Sequence, residues 1–263
     1  GTDVSSHSEG DSFQTVFSTT KARPDAVLYD LLVNYAGVDP AFCPTSKWEL
    51  EVDRWASYLF LTVDVTTSTG VNKLIGELAV LGLSFWWDSE LQEIGLKVNR
   101  PPDEDTVYEV SDNRNIMEDS ISVDDRDDER LTQVGIYSVI IDPTASATDG
   151  NNYSRLRQLV DFDAQSANEF NGTQLRRIYT RWLGAGNDSL LRIIGIRMLN
   201  RFRWSPARYK MTIRYDQDIR LTDVIRVNSR IHQDETGLNL NKLMQVEKLT
   251  IDKPKHQATI EAQ

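Results

Sequence analysis

The stretch LGLSFWWDSELQEIGLKV, residues 81–98, places two apolar runs on either side of a short polar segment. In the second run Ile94, Leu96 and Val98 alternate with Gly95 and Lys97, the two-residue period of a strand with one covered face. Asp88 to Gln92 supplies the turn, so the segment reads as a β-hairpin. Successive side chains of a strand point to opposite faces, so Trp86 and Trp87 cannot jointly pave a flat sugar-binding platform. One is expected to pack under the helix that ends at Gly82, and the other to face a second layer, a subunit interface or solvent. Large aromatic residues serve mainly burial and association, so both are read as core or interface residues.

Upstream, STGVNKLIGELAVLG (68–82) carries the stripe Val71, Leu74, Ile75 and Leu78, with Ser68 or Thr69 as cap and Gly82 as stop, and predicts a helix. RPDAVLYDLLVNYAG (23–37) predicts another, capped by Asp25 and ended by Gly37, and KWELEVDRWASY (47–58) a third. LFLTVDV (59–65) reads as a strand. Residues 23–100 thus form a helix-helix-strand-helix-hairpin domain. It is preceded by an N-terminal arm or edge strand over 1–22, anchored by Phe13, Val16 and Phe17.

Pro101 and Pro102 mark the next boundary, and 101–263 reads as mainly antiparallel β structure with one long helix near 188–203. Strands are predicted at TVYEV, SISVDD, QVGIYSVIID and LRRIYTRWLG. The helix carries the stripe Leu191, Ile194, Met198 and Phe202, with Arg197 and Arg201 one turn apart, and Pro206 ends it. Beyond it the chain alternates in a pattern suited to a closing barrel or a sandwich.

No run of about 18 apolar residues is present, and the first twenty positions lack the pattern of a signal peptide, so a soluble protein is expected. The sequence begins on Gly1 rather than Met, which suggests a boundary within a longer protein. The single Cys43 excludes an internal disulfide framework, and His7, His232 and His256 lack metal-ligand spacing. No metal or cofactor is expected. The net charge of -11 is uneven: 101–130 holds twelve acids and three bases, 176–220 eleven bases and three acids. Those regions either attract each other or face different partners.

VDDRDDER (123–130) is acid-rich but lacks the turn glycine of a calcium loop, and reads as a solvated hairpin. Asp161 and Asp163 share a face if DFD is extended, but paired carboxylates need a cleft between them to hydrolyse glycosides. No nucleophile elbow and no phosphate loop occurs. The arginine-rich segment with Tyr179, Trp182, Tyr209 and Tyr215 resembles a single-strand binder only superficially in an acidic chain, and internal charge matching or protein partners suit it better.

The order of these pieces carries a resemblance. LGLSFWWDSELQEIGLKV, NEFNGTQLRRIYTRWLG (168–184), RMLNRFRWSPARYKMTIRYD (197–216), IRLTDVIRVNSRIHQDETG (219–237) and QVEKLTID (245–252) together resemble the tail-tip or baseplate hub proteins of tailed bacteriophages, over residues 24 to 262. The resemblance implies an α+β fold of antiparallel β-barrel-like, tail-tube-like domains with an inserted helix-plus-β-hairpin domain. It implies a non-enzymatic virion protein, made in the host cytoplasm, whose copies form a homotrimeric ring closing the tail tube, with the segment 221–237 in a barrel around a channel. Its implied partners are the tail tube, distal tail and fibre or spike proteins, with no membrane anchor. DNA passes nearby without binding, since an acidic surface weakens phosphate association. Candidate contact residues are Trp86, Trp87, Trp182, Arg197 and Arg201. The alternative is a carbohydrate-binding or cell-wall-degrading module that uses exposed tryptophan with Asp88, Asp161 or Asp163.

Overall fold

The structure, a computed structural model, describes residues 17–67, 69–99, 107–112, 114–166, 172–203, 207–216, 218–233 and 236–263. The expectations for Phe13, Val16, Ser68, Pro101, Pro102 and Pro206 lie outside the described residues. In chain order the strands and helices begin with β1 (Phe17–Ala22), α1 (Pro24–Tyr29), α2 (Thr45–Trp55), β2 (Leu61–Val65), α3 (Val71–Ala79), β3 (Leu83–Asp88) and β4 (Glu93–Val98). There follow β5 (Val107–Ser111), β6 (Ser122–Asp125), β7 (Gln133–Ile140), β8 (Tyr153–Val160), α4 (Phe162–Gln165) and β9 (Leu175–Tyr179). The last elements are α5 (Asp188–Phe202), β10 (Ala207–Arg214), β11 (Val224–Gln233), β12 (Asn239–Asp252) and β13 (Gln257–Ala262). The fold is α+β, and the chain divides into two compact units. Unit 1 holds the described residues up to Val98 with Gly135–Gln158 and Arg177–Ile194; unit 2 holds Asn99–Val134, Leu159–Arg176 and Gly195–Gln263.

In unit 1 the hairpin forms as its alternation requires: β3 and β4 pair antiparallel with Trp86 opposite Gly95 and Trp87 opposite Ile94. The Asp88 carboxylate accepts the N–H groups of Glu90 and Leu91 at 2.9 and 3.0 Å, which closes the turn. Helix α2 lies on β4 through one face: the buried Trp48 indole donates to the Ile94 carbonyl at 2.8 Å, and Glu51 accepts the Val98 N–H at 3.0 Å. Helix α3 buries Leu74 and Leu78, and Gly82 at φ +89° ends that segment in the left-handed region open to glycine. Its N-cap position is Gly70 with no side-chain cap, and Thr69 donates to the Thr67 carbonyl instead, so the expected threonine cap is corrected. Asp25 is corrected as well: α1 starts after Arg23, and Asp25 is buried against the Arg23 guanidinium at 3.0 Å, where a charged partner outweighs a cap. After α1 the chain widens into a π-helical turn, Asp30–Tyr35, and Gly37 at φ +70° terminates it.

The centre of unit 1 is a salt bridge between segments 104 residues apart. The Arg181 side chain is 6% exposed and grips Glu77 of α3 with Nε and Nη2, each at 2.9 Å. The neighbouring Trp182, fully buried, donates its indole N–H to the same carboxylate at 3.0 Å. Its carbonyl accepts the Thr62 N–H of β2 at 2.9 Å, and the Leu183 carbonyl accepts the Val139 N–H of β7 at 3.1 Å. Phe17 of β1 packs on the Trp182 ring with centroids 6.0 Å apart.

Unit 2 is built on a six-stranded sheet in the order β5-β11-β12-β13-β10-β6, antiparallel throughout except for the parallel β5–β11 pair. The two-residue period selects its core: Tyr209, Met211 and Ile213 of β10, Ile225 and Val227 of β11, Met244 and Val246 of β12, and Ala258, Ile260 and Ala262 of β13 share the buried face. On the opposite face charges match in register, with Lys248 beside Glu261 at 3.0 Å and Arg226 beside Glu109. Among the described residues the hydrogen-bond ladder runs from β5 at one edge to β6 at the other and is open. A separate three-stranded sheet has the order β8-β7-β9.

Removing the Glu77 carboxylate would strand a buried guanidinium and an indole N–H. Glu77→Ala is therefore expected to destabilise the protein by about 3 kcal/mol, at the low end for a broken buried pair because Glu77 keeps partial solvent access. Urea denaturation checks it: a change below about 1 kcal/mol would mean that water replaces the carboxylate without cost.

Candidate functional site

Each residue singled out from sequence has a definite place. Trp86 is half-buried and lies flat across the backbone of Gly95, where an added Cβ would sit 2.8 Å from Cδ2 and closer to Cε2. Trp87, on the other face of β3, is 52% exposed and meets the exposed Phe42 with ring centroids 5.4 Å apart and planes at 88°. This edge-to-face pair offers one outward ring face, not two coplanar ones. Trp182 is inside unit 1, so its ring serves packing rather than an exposed surface. Arg197 is partly buried on α5, and Arg201 binds Glu247 at 2.8 Å, with Arg208 sharing that carboxylate at 3.5 Å. The arginine-rich stretch thus spends much of its charge on neighbouring acids.

The carboxylates are committed in the same way. Asp88 holds the hairpin turn. The DFD segment is not extended: Asp161 caps the one-turn helix α4 by accepting the Ala164 N–H at 3.0 Å, and its other oxygen pairs with Arg203 at 3.2 Å. The expected common face of Asp161 and Asp163 is thereby corrected, because capping gives Asp161 a better use of its lone pairs than an extended run does. A cavity of about 360 Å³ is lined by Asp161, Phe162, Asp163 and Arg203, and another of about 330 Å³ by Glu129, Arg130, Gln174 and Phe202. Neither brings a nucleophile and a base together. In the acidic stretch Arg126 holds Asp128 at 3.1 Å and Glu129 at 3.1 Å, and the salt bridge keeps the Asp128 carboxyl below its usual range. Among the described residues no group of three or more histidine, cysteine, aspartate or glutamate side chains is placed to hold a metal ion.

The least ordinary titratable cluster is Tyr209, His232 and Lys242 in unit 2. The Tyr209 ring lies 4.9 Å from the His232 ring and 5.0 Å from the Lys242 ammonium, whose nitrogen reaches the phenol oxygen at 3.4 Å. His232 Nε2 is buried without a hydrogen-bond partner among the described residues. Desolvation first, and the Lys242 charge second, push the imidazole below its usual range. Desolvation lowers Lys242 too, with Asp125 opposing. Elsewhere, burial raises the Tyr153 phenol to about 12, and raises the Cys43 thiol with Asp39 adding to the effect.

Sequence reasoning missed Glu77, Phe42 and the role of Arg181. A signal for the first existed, since Glu77 is the sole acid in VNKLIGELAVLG (71–82).

No family model matches the sequence, and no curated protein does. Solved structures do resemble the fold. One is a chain in the virion of a native gene transfer agent particle, 12% identical with a TM-score of 0.57, covering 91% of this chain and 46% of that one. Another is the tail protein from Neisseria meningitidis MC58, 10% identical with a TM-score of 0.55, covering 94% of this chain and 68% of that one. At these identities the likeness is one of fold. The present chain spans just under half the length of the gene transfer agent chain.

Two outcomes are expected from this geometry. Gly95→Ala and Trp86→Ser should each cost about 2 kcal/mol, by forcing the indole off the strand or by removing it, whereas Trp87→Ser should cost about 1 kcal/mol or less. Thermal unfolding of the three variants checks the ranking. The second concerns pH: a histidine depressed in the folded state contributes stability that is present above the unfolded value of 6.5 and is lost as pH falls through the folded one. The urea midpoint should therefore rise between pH 5 and pH 7, and rise less in His232→Gln; parallel curves would remove His232 from the account.

Proposed function

We propose that the chain is a structural component of a phage-type tail, at its tip or baseplate hub, and that its copies assemble into a ring, with three the expected number. The observation that carries this reading is the fold shared over more than nine-tenths of the chain with a tail protein and with a virion component. The geometry agrees with it. Of the carboxylates that sequence offered for catalysis, Asp88 closes a turn and Asp161 caps a helix and pairs with arginine, which leaves no assembled acid-base pair between them. What the surface offers is suited to association: the outward Trp87–Phe42 pair and strand edges without partners among the described residues.

In this reading the six-stranded sheet containing β11 curls into the barrel-like wall beside the channel, and the helix-plus-hairpin part of unit 1 is the inserted element. The tail tube and the distal fibre or spike proteins are the partners, and the virion is the location. A net charge of -11 suits a wall past which DNA moves, because like charges weaken phosphate association. A ring of odd copy number requires heterologous contacts, in which one surface of a copy meets a different surface of the next.

Light scattering across a concentration range, paired with negative-stain imaging, tests the reading. A particle of three chain masses with a central hole is expected. A monomer at every concentration that also fails to bind isolated tail tubes would overturn it.

A further inference from the structure

Two of the strand edges are exposed along much of their length and carry opposite charge. Among the described strands, β6 is the one whose every residue is exposed: Ser122, Val123, Asp124 and Asp125. It is the last strand of the six-stranded sheet and pairs only with β10, Asp124 standing opposite Arg208 and Val123 opposite Tyr209. The sheet's buried face therefore runs out at Val123, which is 37% exposed although its cross-strand neighbour is fully covered. Strand β8 is an edge of the three-stranded sheet, and five consecutive residues, Ser154 to Gln158, are exposed on both of its faces. The remaining edge of that sheet, β9, offers three such residues and no alternation.

An edge exposed on both faces carries unpaired N–H and C=O groups and is a template for another strand. Short length and charge ordinarily protect such edges, and β6 and β8 are both charged. Their charges, however, are opposite and in phase. In β6 the apolar Val123 shares its face with Asp125 and alternates with Asp124; in β8 the apolar Leu156 alternates with Arg155 and Arg157. Residues opposite each other in a strand pair share a face, so parity decides what meets what. Seating Leu156 beside Val123 puts Arg157 beside Asp124 if the strands run parallel and Arg155 beside Asp124 if they run antiparallel. Either direction joins the apolar pair on one face and an ion pair on the other. Arg155 already holds Asp188 at 3.0 Å, which leaves Arg157, without an ion pair among the described residues, as the freer cation.

We infer that copies of this chain join edge to edge, β8 of one adding to β6 of the next, with Leu156 seated beside Val123 and an arginine beside Asp124. The contact is heterologous, so it propagates from copy to copy and closes or extends according to the rotation it imposes. It supplies the contact that the ring reading requires and rests on that reading for its biological setting.

The test uses the full chain carrying Cys43→Ser, with Val123→Cys in one preparation and Leu156→Cys in another, since both positions are exposed. Mild oxidation of the mixture should give a disulfide-linked dimer, and each preparation alone should give at least about tenfold less. Adding Arg155→Glu and Arg157→Glu to the Leu156→Cys chain should cut the mixed product on the order of tenfold, and Asp124→Arg in the other chain should restore it. Folding of each variant is checked by circular dichroism. Rings by light scattering with no link between 123 and 156 would overturn this inference and leave the ring reading standing. The link with open chains and no ring would support the contact and count against the ring. A link between two copies of position 123 would overturn the inference in favour of a twofold edge pairing, and neither link nor assembly at the highest attainable concentration would overturn both.

Discussion

The bidentate salt bridge between Glu77 and Arg181, shared with the indole of Trp182, is the constraint on which unit 1 depends. A buried guanidinium is tolerable only where its charge is matched and its donors are used, and here a single carboxylate does both while accepting a third hydrogen bond. Because Arg181 and Trp182 sit on a connection whose carbonyls also take N–H groups from β2 and β7, one side chain on α3 sets the position of a helix, two strands and a loop at once. The hairpin is held differently, by the Trp48 indole and by Glu51 from α2, so that both anchoring interactions run from a side chain to backbone groups of β4 and leave the outer faces of Trp87 and Phe42 in solvent.

Unit 2 depends on regular alternation instead. One face of its sheet is apolar from β11 to β10, and the other carries cross-strand ion pairs in register, Lys248 with Glu261 and Arg226 with Glu109, while Arg201 and Arg208 converge on Glu247 where the β12 register shifts. The contrast between the acidic and basic stretches of the sequence is resolved here in part as attraction: β6 lies along β10, and Arg208 approaches Glu129 at 3.6 Å. Exposed pairs of this kind add little stability individually, so their value lies in fixing register among strands whose apolar faces would tolerate slippage.

What could be read from the sequence was local. The hairpin, α3 and the long helix announce themselves because their periods are complete within a dozen residues. The finer expectations failed where a side chain found another polar partner. Asp25 is drawn from its capping role by Arg23, which also reaches Asp53, and Asp161 is claimed by a turn of helix and by Arg203. On α5 the buried set keeps Leu191 and Ile194 of the expected stripe and adds Leu190 and Leu199, while Met198 and Phe202 are only partly buried, since a period defines a stripe's spacing but not its exact centre. Trp182 was legible as a large aromatic in a basic segment; that its indole answers a carboxylate 105 residues earlier was not.

The chain's path between its units carries a last consequence. It passes from one to the other at five places, and at four of them, within β7, β8, β9 and α5, the crossing falls inside a regular element and not in a connecting loop. A gene encoding such a protein offers recombination few neutral breakpoints: exchanging either unit for a homologous one would mean splicing three separate segments, most of them in mid-strand or mid-helix.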